Sequence, residues 1–301
     1  MKKFLSYVCL TLLSVAVIDV LYGLAMEQLS GKHYVASIDH IREAHEDIAI
    51  IGSSRANHHY DPQLLTDSLN VTVYNYGIEG LNIFADEAVL AMLFSQTENR
   101  PSMIILDLSE SDICDVPGWN TDHLSLLYPY ADVPAVDSML ADVIDPREHF
   151  FVRYSKLYRH NSNILDYLKP KANGQRQENG FTPLQGVWTG EPSESTPDYD
   201  VSPQKMGYLD RSIRLCAENN VLLVLATSPN YKRLPKEQAW VKAIEKVAQE
   251  HHISYLYHEQ DEEFLAHPEW FNEPYHLNAE GAGIFTRKII PELPCPHSHQ
   301  S

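Results

Sequence analysis

Asp47-Ile48-Ala49-Ile50-Ile51-Gly52-Ser53-Ser54-Arg55 is the stretch that decides the fold. Its apolar run, rich in isoleucine, shows no alternation between buried and exposed positions. A short β-branched run of this kind predicts a strand covered on both faces, as in a parallel sheet. Gly52 ends the run, and the small residues Ser53 and Ser54 allow a tight turn into a helix. Such a turn projects a serine hydroxyl into the crevice at a strand's carboxyl end. The start of the next helix offers free N–H groups beside it. The same Gly-Ser-Ser also reads as a plain turn or a helix N-cap.

Working outward, the runs at 71–74, 102–107, 221–226 and 253–257 predict four more strands. Helical patterns fall at 62–69, 82–97, 203–219, 236–250 and 278–290. In the fourth of these, Trp240, Ile244 and Val247 share one face. Strand alternating with helix predicts an α/β domain over 47–290 with a doubly wound, flavodoxin-like, mostly parallel five-stranded sheet. Its ligand site belongs at the carboxyl ends of the strands. Residues 113–202 interrupt the rhythm and are rich in Pro, Asp, Tyr and Ser, with a long polar loop at 169–200. A loop so long is functional or disordered, and the stretch is expected to be an insertion that roofs the site.

The chain has 301 residues, 44% of them hydrophobic, enough for a sizeable core, and a formal net charge of −18. That charge argues against a nucleic-acid partner, which needs a basic stripe against the phosphates. Residues 1–26 form a preceding hydrophobic helix: Lys2 and Lys3, then an apolar run at 4–25 whose one charge is Asp19. A signal anchor and a cleaved signal peptide both fit, and a buried helix of the domain is a third reading. The first two place the rest outside the cytoplasm, either membrane-anchored or exported, and confine membrane contact to this segment. Residues 27–46 read as an amphipathic linker and 291–301 as a polar tail. Cys295, His297 and His299 in that tail look like a frayed end rather than a metal site. Cys9 lies in the apolar segment. Among Cys114, Cys216 and Cys295 the spacing selects no disulfide, and buried free thiols fit as well. Asn70-Val71-Thr72 fits a glycosylation sequon, meaningful only in a eukaryotic chain.

At the far end stands Asn272-Glu273-Pro274-Tyr275-His276-Leu277-Asn278. His276 falls just before a helix for which Asn278 is the N-cap. A loop histidine there can approach the end of the first strand. Glu273, three residues upstream, can hold its imidazole in the tautomer that a general base requires.

Together these segments resemble the SGNH (GDSL-like) hydrolase family, over roughly 47–112 and 221–290. The resemblance aligns Ser54 with the nucleophile and Ser53 with the Asp of Gly-Asp-Ser. Asn75-Tyr76-Gly77 and Gly80 look like the second block, which implies a Gly77 N–H in the oxyanion hole beside that of Ser54. Ser109-Glu110-Ser111-Asp112 falls where the family has Gly-x-Asn-Asp, and Pro274-Tyr275-His276-Leu277-Asn278 resembles the last block. Two departures stand out. Glu273 replaces the family's Asp, and Ser111 replaces the oxyanion-hole asparagine, for which Asn82 is an alternative donor. Losing one such donor costs about 2.7–4 kcal/mol of transition-state stabilisation.

The resemblance implies a serine esterase or O-acyltransferase acting on an ester, such as an acylated carbohydrate of the cell envelope. Ser54 would be the nucleophile, His276 the base and Glu273 its orienter. Arg55, His58 and His59 are expected to bind an acidic or polyhydroxylated substrate, or simply to form a solvated helix start. Adjacent His58 and His59 point apart and make a poor zinc pair, so neither metal nor cofactor is expected. The two departures equally suit a catalytically silent binding or assembly protein. Oligomeric state is not specified by any feature of the sequence.

Overall fold

The computed structural model describes residues 1–29, 35–96, 100–118, 121, 123–161, 176–192, 199–232 and 238–294. The chain begins with α1 (Lys2–Leu29), α2 (Ala36–His40), β1 (Ile48–Ile51), α3 (Ser54–His59), α4 (Pro62–Leu69) and β2 (Val73–Asn75). There follow α5 (Ile83–Gln96), β3 (Met103–Asp107), α6 (Glu110–Ile113), α7 (Pro134–Val143), α8 (Pro146–Tyr154) and α9 (Lys156–Asn161). The last part holds α10 (Pro203–Glu218), β4 (Leu222–Thr227), α11 (Ala239–His251), β5 (Ser254–Tyr257) and α12 (Glu262–Leu265). It closes with the hairpin strands β6 (Phe271–Glu273) and β7 (His276–Leu277), then α13 (Ala279–Ile289).

Two compact units result: Met1–Asp39 with Thr121–Asn173, and His40–Asn120 with Gly174–Ser301. The second holds the expected α/β sheet, in the order β2-β1-β3-β4-β5 with every pairing parallel. Ile48 pairs with Val73 on one side and Met103 on the other, and Met103 pairs with Leu222. Every residue of the inner strands β1 and β3 is buried, as their unbroken apolar runs require. β5, which opens on the exposed Ser254, takes an edge. The chain steps from β1 outward to β2 and returns on the other side of β1 at β3. The topological switch therefore lies between the carboxyl ends of β1 and β3, where open α/β sheets place their crevice.

Gly52 makes the turn out of β1 possible. Its φ is +144°, and a Cβ there would stand 2.7 Å from the Asp107 carbonyl oxygen. Only a residue with no side chain accepts both conditions.

The stretch 113–202 is divided between the units, and its first part is more regular than the loop chemistry suggested. α7 and α8 each carry proline in the first turn, at Pro134 and Pro146. Proline there removes no intrahelical hydrogen bond, so it marks a helix start rather than a break. In the sheet unit, 176–192 packs on the core: Gln177 N–H donates to Phe181 O at 2.7 Å, and Phe181 is buried. His40 to Glu46, read as the end of a linker, also belongs to this unit. Ile41 is buried, and the His40 ring stacks on Tyr74 at 3.8 Å. The tail residues from Cys295 onward, with their histidines, lie outside the described residues, as do 169–175 and 193–198 of the polar loop. Cys114 and Cys216 are buried.

In the first unit α1 presents an apolar segment, Lys2–Met26, long and apolar enough to cross a membrane. Its Asp19 carboxylate accepts hydrogen bonds from Ser155 Oγ (2.6 Å), Lys156 N (2.9 Å) and Leu157 N (3.0 Å), at the start of α9.

Gly52→Ala should lower the urea midpoint by the equivalent of roughly 1–3 kcal/mol, the cost of a strained backbone conformation. Gly207→Ala, inside α10 with nothing within 4 Å of the new methyl, should raise it by about 0.5–1 kcal/mol. Equal midpoint shifts would contradict the role given to Gly52.

Candidate active site

Ser54 is the first residue of α3, and Ser53 stands at its N-cap without placing a side-chain oxygen on the first-turn N–H groups. His276 arrives from the other end of the chain on the β6–β7 hairpin. Ser54 Oγ lies 2.7 Å from His276 Nε2. On the opposite side of the ring His276 Nδ1 makes a short hydrogen bond to Glu273 Oε1, its antiparallel partner across the hairpin. The second Glu273 oxygen accepts the Tyr275 N–H at 3.2 Å.

Several bonds hold this hairpin in place. Trp188 N–H donates to Phe271 O at 2.7 Å, and Tyr231 N–H to Pro274 O at 2.8 Å. Asn278 caps α13 by accepting the Gly281 N–H at 3.0 Å. Its amide nitrogen donates to Glu269 O (2.7 Å) and Gly186 O (2.8 Å). The hairpin is thus clamped by the loop ahead of it, by the β4 connection and by its own helix cap.

With this geometry in view, comparisons with known proteins add a likeness of fold. No family model and no curated protein matches the chain. Among solved structures, the fold is similar to a protein described as lipolytic and of the G-D-S-L family, from Desulfitobacterium hafniense DCB-2. That match has a TM-score of 0.40 at 10% identity, over 82% of this chain and 99% of the other. A protein described as an acylhydrolase, from Bacteroides fragilis NCTC 9343, is similar at a TM-score of 0.36 and 12% identity, over 81% and 86%. At such distances the reading of the site rests on its own geometry.

Arg55, His58 and His59, all on α3, do not share one role. Arg55 and His59, expected to bind substrate, are buried and spent internally. The Arg55 guanidinium donates to Ser228 O (2.6 Å), Ser228 Oγ (3.2 Å) and Glu259 Oε1 (3.4 Å), and lies 3.7 Å from Asp107. Burial alone would lower its pKa, but Asp107 and Glu259 outweigh that and raise it. His59 Nδ1 donates to Ser228 Oγ at 2.8 Å, while Nε2 accepts the Leu277 N–H at 3.0 Å. Helical periodicity turns both side chains inward, toward the sheet. His58 faces the other way. Its Nδ1 donates to Thr182 O at 2.7 Å, and its Nε2 lies 3.2 Å from Glu79. The His58 ring stands edge-on to His276 at 5.3 Å. The Glu79 carboxyl is held below its usual range, first by the hydrogen bond from His58.

Three of the expected oxyanion donors, Gly77, Ser111 and Asn82, make contacts within the chain. Gly77 N–H donates to Asn75 Oδ1 at 2.9 Å rather than facing Ser54. The backbone is pressed there against α3, since a Cβ on Gly77 would meet Asn57 N at 2.4 Å. Ser111 Oγ bonds Ser109 Oγ at 2.9 Å, and its carbonyl accepts Lys205 Nζ at 2.7 Å. Asn82 Oδ1 accepts the Phe84 N–H at the start of α5.

Sequence reasoning passed over the residues beneath the site. Asp107, the last residue of β3, accepts hydrogen bonds from Tyr60 Oη and, at 3.1 Å, from Ser228 N. Asn75, the last of β2, donates to Ala56 O (2.7 Å) and Tyr60 O (3.2 Å). The signal for both was a polar residue closing an apolar strand run. Burial raises the Asp107 pKa, with Arg55 opposing.

His59 is held well below the ordinary histidine range, first by burial and then by the charges of Arg55, His276 and His58. Its folded-state pKa is depressed, so the unfolded chain binds the proton more readily. The stability it contributes is complete above about pH 6.5 and is lost as the pH falls below that value. The buried carboxyls Asp107 and Glu259, raised by burial, act in the opposite sense, but they cancel when two variants are compared. Urea midpoints at pH 7.5, 6.5 and 5.5 should show wild type losing up to roughly 1.4 kcal/mol per pH unit relative to His59→Asn. A pH-independent difference would contradict a neutral, buried His59.

Proposed function

We propose that this protein is a serine esterase or O-acyltransferase working through an acyl-Ser54 intermediate. The observation that carries the reading is the continuous hydrogen-bonded chain Ser54–His276–Glu273, assembled from residues 222 positions apart in sequence. In this reading Ser54 Oγ attacks the ester carbonyl carbon as His276 Nε2 takes its proton. Glu273 holds the Nδ1–H and stabilises the imidazolium. The oxyanion forms over the start of α3, where the Ser54 N–H donates. His276 returns the proton to the departing alkoxide. Water then attacks the acyl-serine, losing its proton to His276, which passes it to the departing Ser54 Oγ as the acid is released. A sugar hydroxyl in place of water would complete a transfer.

The rim supports a polar, polyhydroxylated substrate. His58 and Glu79 pair beside His276, and Tyr275, its neighbour in the chain, is exposed. We further propose that α1 anchors the protein in a membrane, with Lys2 and Lys3 on the cytoplasmic side and the sheet unit outside. One observation favours a second reading, a silent binding or assembly protein. Gly77 N–H is occupied by Asn75, which leaves the oxyanion with fewer donors than the family pattern implies.

Labelling of the full chain by a fluorophosphonate probe tests the first reading. Wild type should label and Ser54→Ala should not, both being folded by circular dichroism. An unlabelled, folded wild type would put the binding-protein reading ahead.

Glu273→Gln should slow that labelling by about 10²–10⁴-fold, because an amide does not hold the imidazole in the required tautomer. Glu273→Asp should retain most of the rate. If Gln and Asp behave alike, Glu273 has no orienting role.

A further inference from the structure

Outside α1, the exposed large hydrophobic residues are concentrated in one place among the described residues. Phe150, Phe151 and Tyr154 on α8 are 56%, 50% and 67% exposed, and Leu157 and Tyr158 on α9 join them. Elsewhere only Val187 and Tyr275 are comparably exposed. The rings form one patch, with Phe150 and Tyr154 at 5.0 Å between centroids and Phe151 and Tyr158 at 5.5 Å. A contiguous apolar patch of this kind marks a surface meant to be covered.

What covers it follows from where the patch is fastened. Asp19 belongs to the apolar segment Lys2–Met26. At about 1.5 Å per residue it lies about 10 Å short of the segment's end. Its carboxylate accepts the Ser155 hydroxyl and the Lys156 and Leu157 N–H groups. One turn further, a Cβ on Gly23 would stand 2.6 Å from Lys156 Cβ, so α9 lies close against α1 there. The start of α9 is therefore level with the end of the apolar segment, not beyond it. From Lys3 to Asp19 the helix rises about 24 Å, less than the about 30 Å of a hydrocarbon core. Groups held at the level of Asp19 stand among lipid.

We infer that the aromatic face of α8 and α9 lies in the outer interface of the lipid bilayer, beside α1. The inference rests on the reading of α1 as a membrane span. Phenylalanine and tyrosine suit that depth, where an apolar body meets hydrocarbon and a hydroxyl meets headgroups. Exposed Arg147 and Arg153 flank the rings, and Arg153 lies 5.8 Å from the Tyr154 ring centroid. The Arg153 guanidinium pairs with Asp137, while the long stem of Arg147 lets its charged end reach lipid phosphates. The same contact resolves the anomaly of an aspartate in an apolar helix, since Asp19 is satisfied by a helix start before it meets lipid.

The test is photolabelling of the full chain in vesicles of phosphatidylcholine and phosphatidylglycerol that carry a diazirine on the acyl chain. Tryptic peptides are then mapped. Peptide 4–32 reports the span, peptide 148–153 contains Phe150 and Phe151, and peptide 215–232, with buried β4, is the control. Labelling of both 4–32 and 148–153 above the control is the expected result. Label on 4–32 without 148–153 would overturn this inference and leave the anchor standing. Label on neither would overturn both.

Discussion

The Leu277 N–H donates to His59 Nε2 at 3.0 Å, and the opposite nitrogen of that ring donates to Ser228 Oγ at 2.8 Å. One buried imidazole thereby joins the helix after β1, the turn after β4 and the strand that carries His276. The distance between Ser54 and His276 depends on this bridge more than on any direct contact, because each residue sits at the edge of an element that could otherwise drift. The bridge requires a neutral ring, with one nitrogen donating and one accepting. Burial and the neighbouring positive charges keep it neutral, so the electrostatics of the core and the geometry of the site are one problem.

Beneath the bridge lies a buried charge cluster of Arg55, Asp107 and Glu259. Burying a guanidinium and two carboxylates is costly, and breaking such a group by removing one member typically costs about 3–5 kcal/mol. Its Asp107 Oδ1 and Glu259 Oε2 have no hydrogen-bond partner. The cluster adds orientation. Arg55 follows the serine directly, and its guanidinium is fixed at the carboxyl ends of β3 and β4, which fixes the start of α3. Tyr60 and Asn75 do the same for the end of that short helix. A helix too short to be stable alone is held by polar contacts at both ends.

Asp19 illustrates the same principle in the other unit. A carboxylate in an apolar helix is tolerated because the backbone N–H groups of α9 meet it. The polar residue then fixes which surface stands beside the helix, and at what height.

The five strands and most long helices were legible in the sequence, because apolar runs of 4–6 residues and helical faces are local patterns that burial on the sheet enforces. Ser54, His276 and Glu273 were legible as well: each follows from its position at a strand end or before a helix cap. Helices α7 and α8 were hidden by prolines that serve as helix starts. What tertiary structure alone decided was the direction each polar side chain faces. Arg55, His58 and His59 lie within five positions of one another and all are buried, yet two turn toward the sheet and one toward Thr182 and Glu79. Gly77 matched a motif, but the Asn75 side chain reached its N–H first. Sequence determines which chemistry is available along the chain. Which groups keep their hydrogen bonds for substrate is decided only when packing brings distant partners within 3 Å, since a buried donor takes the acceptor nearest to it.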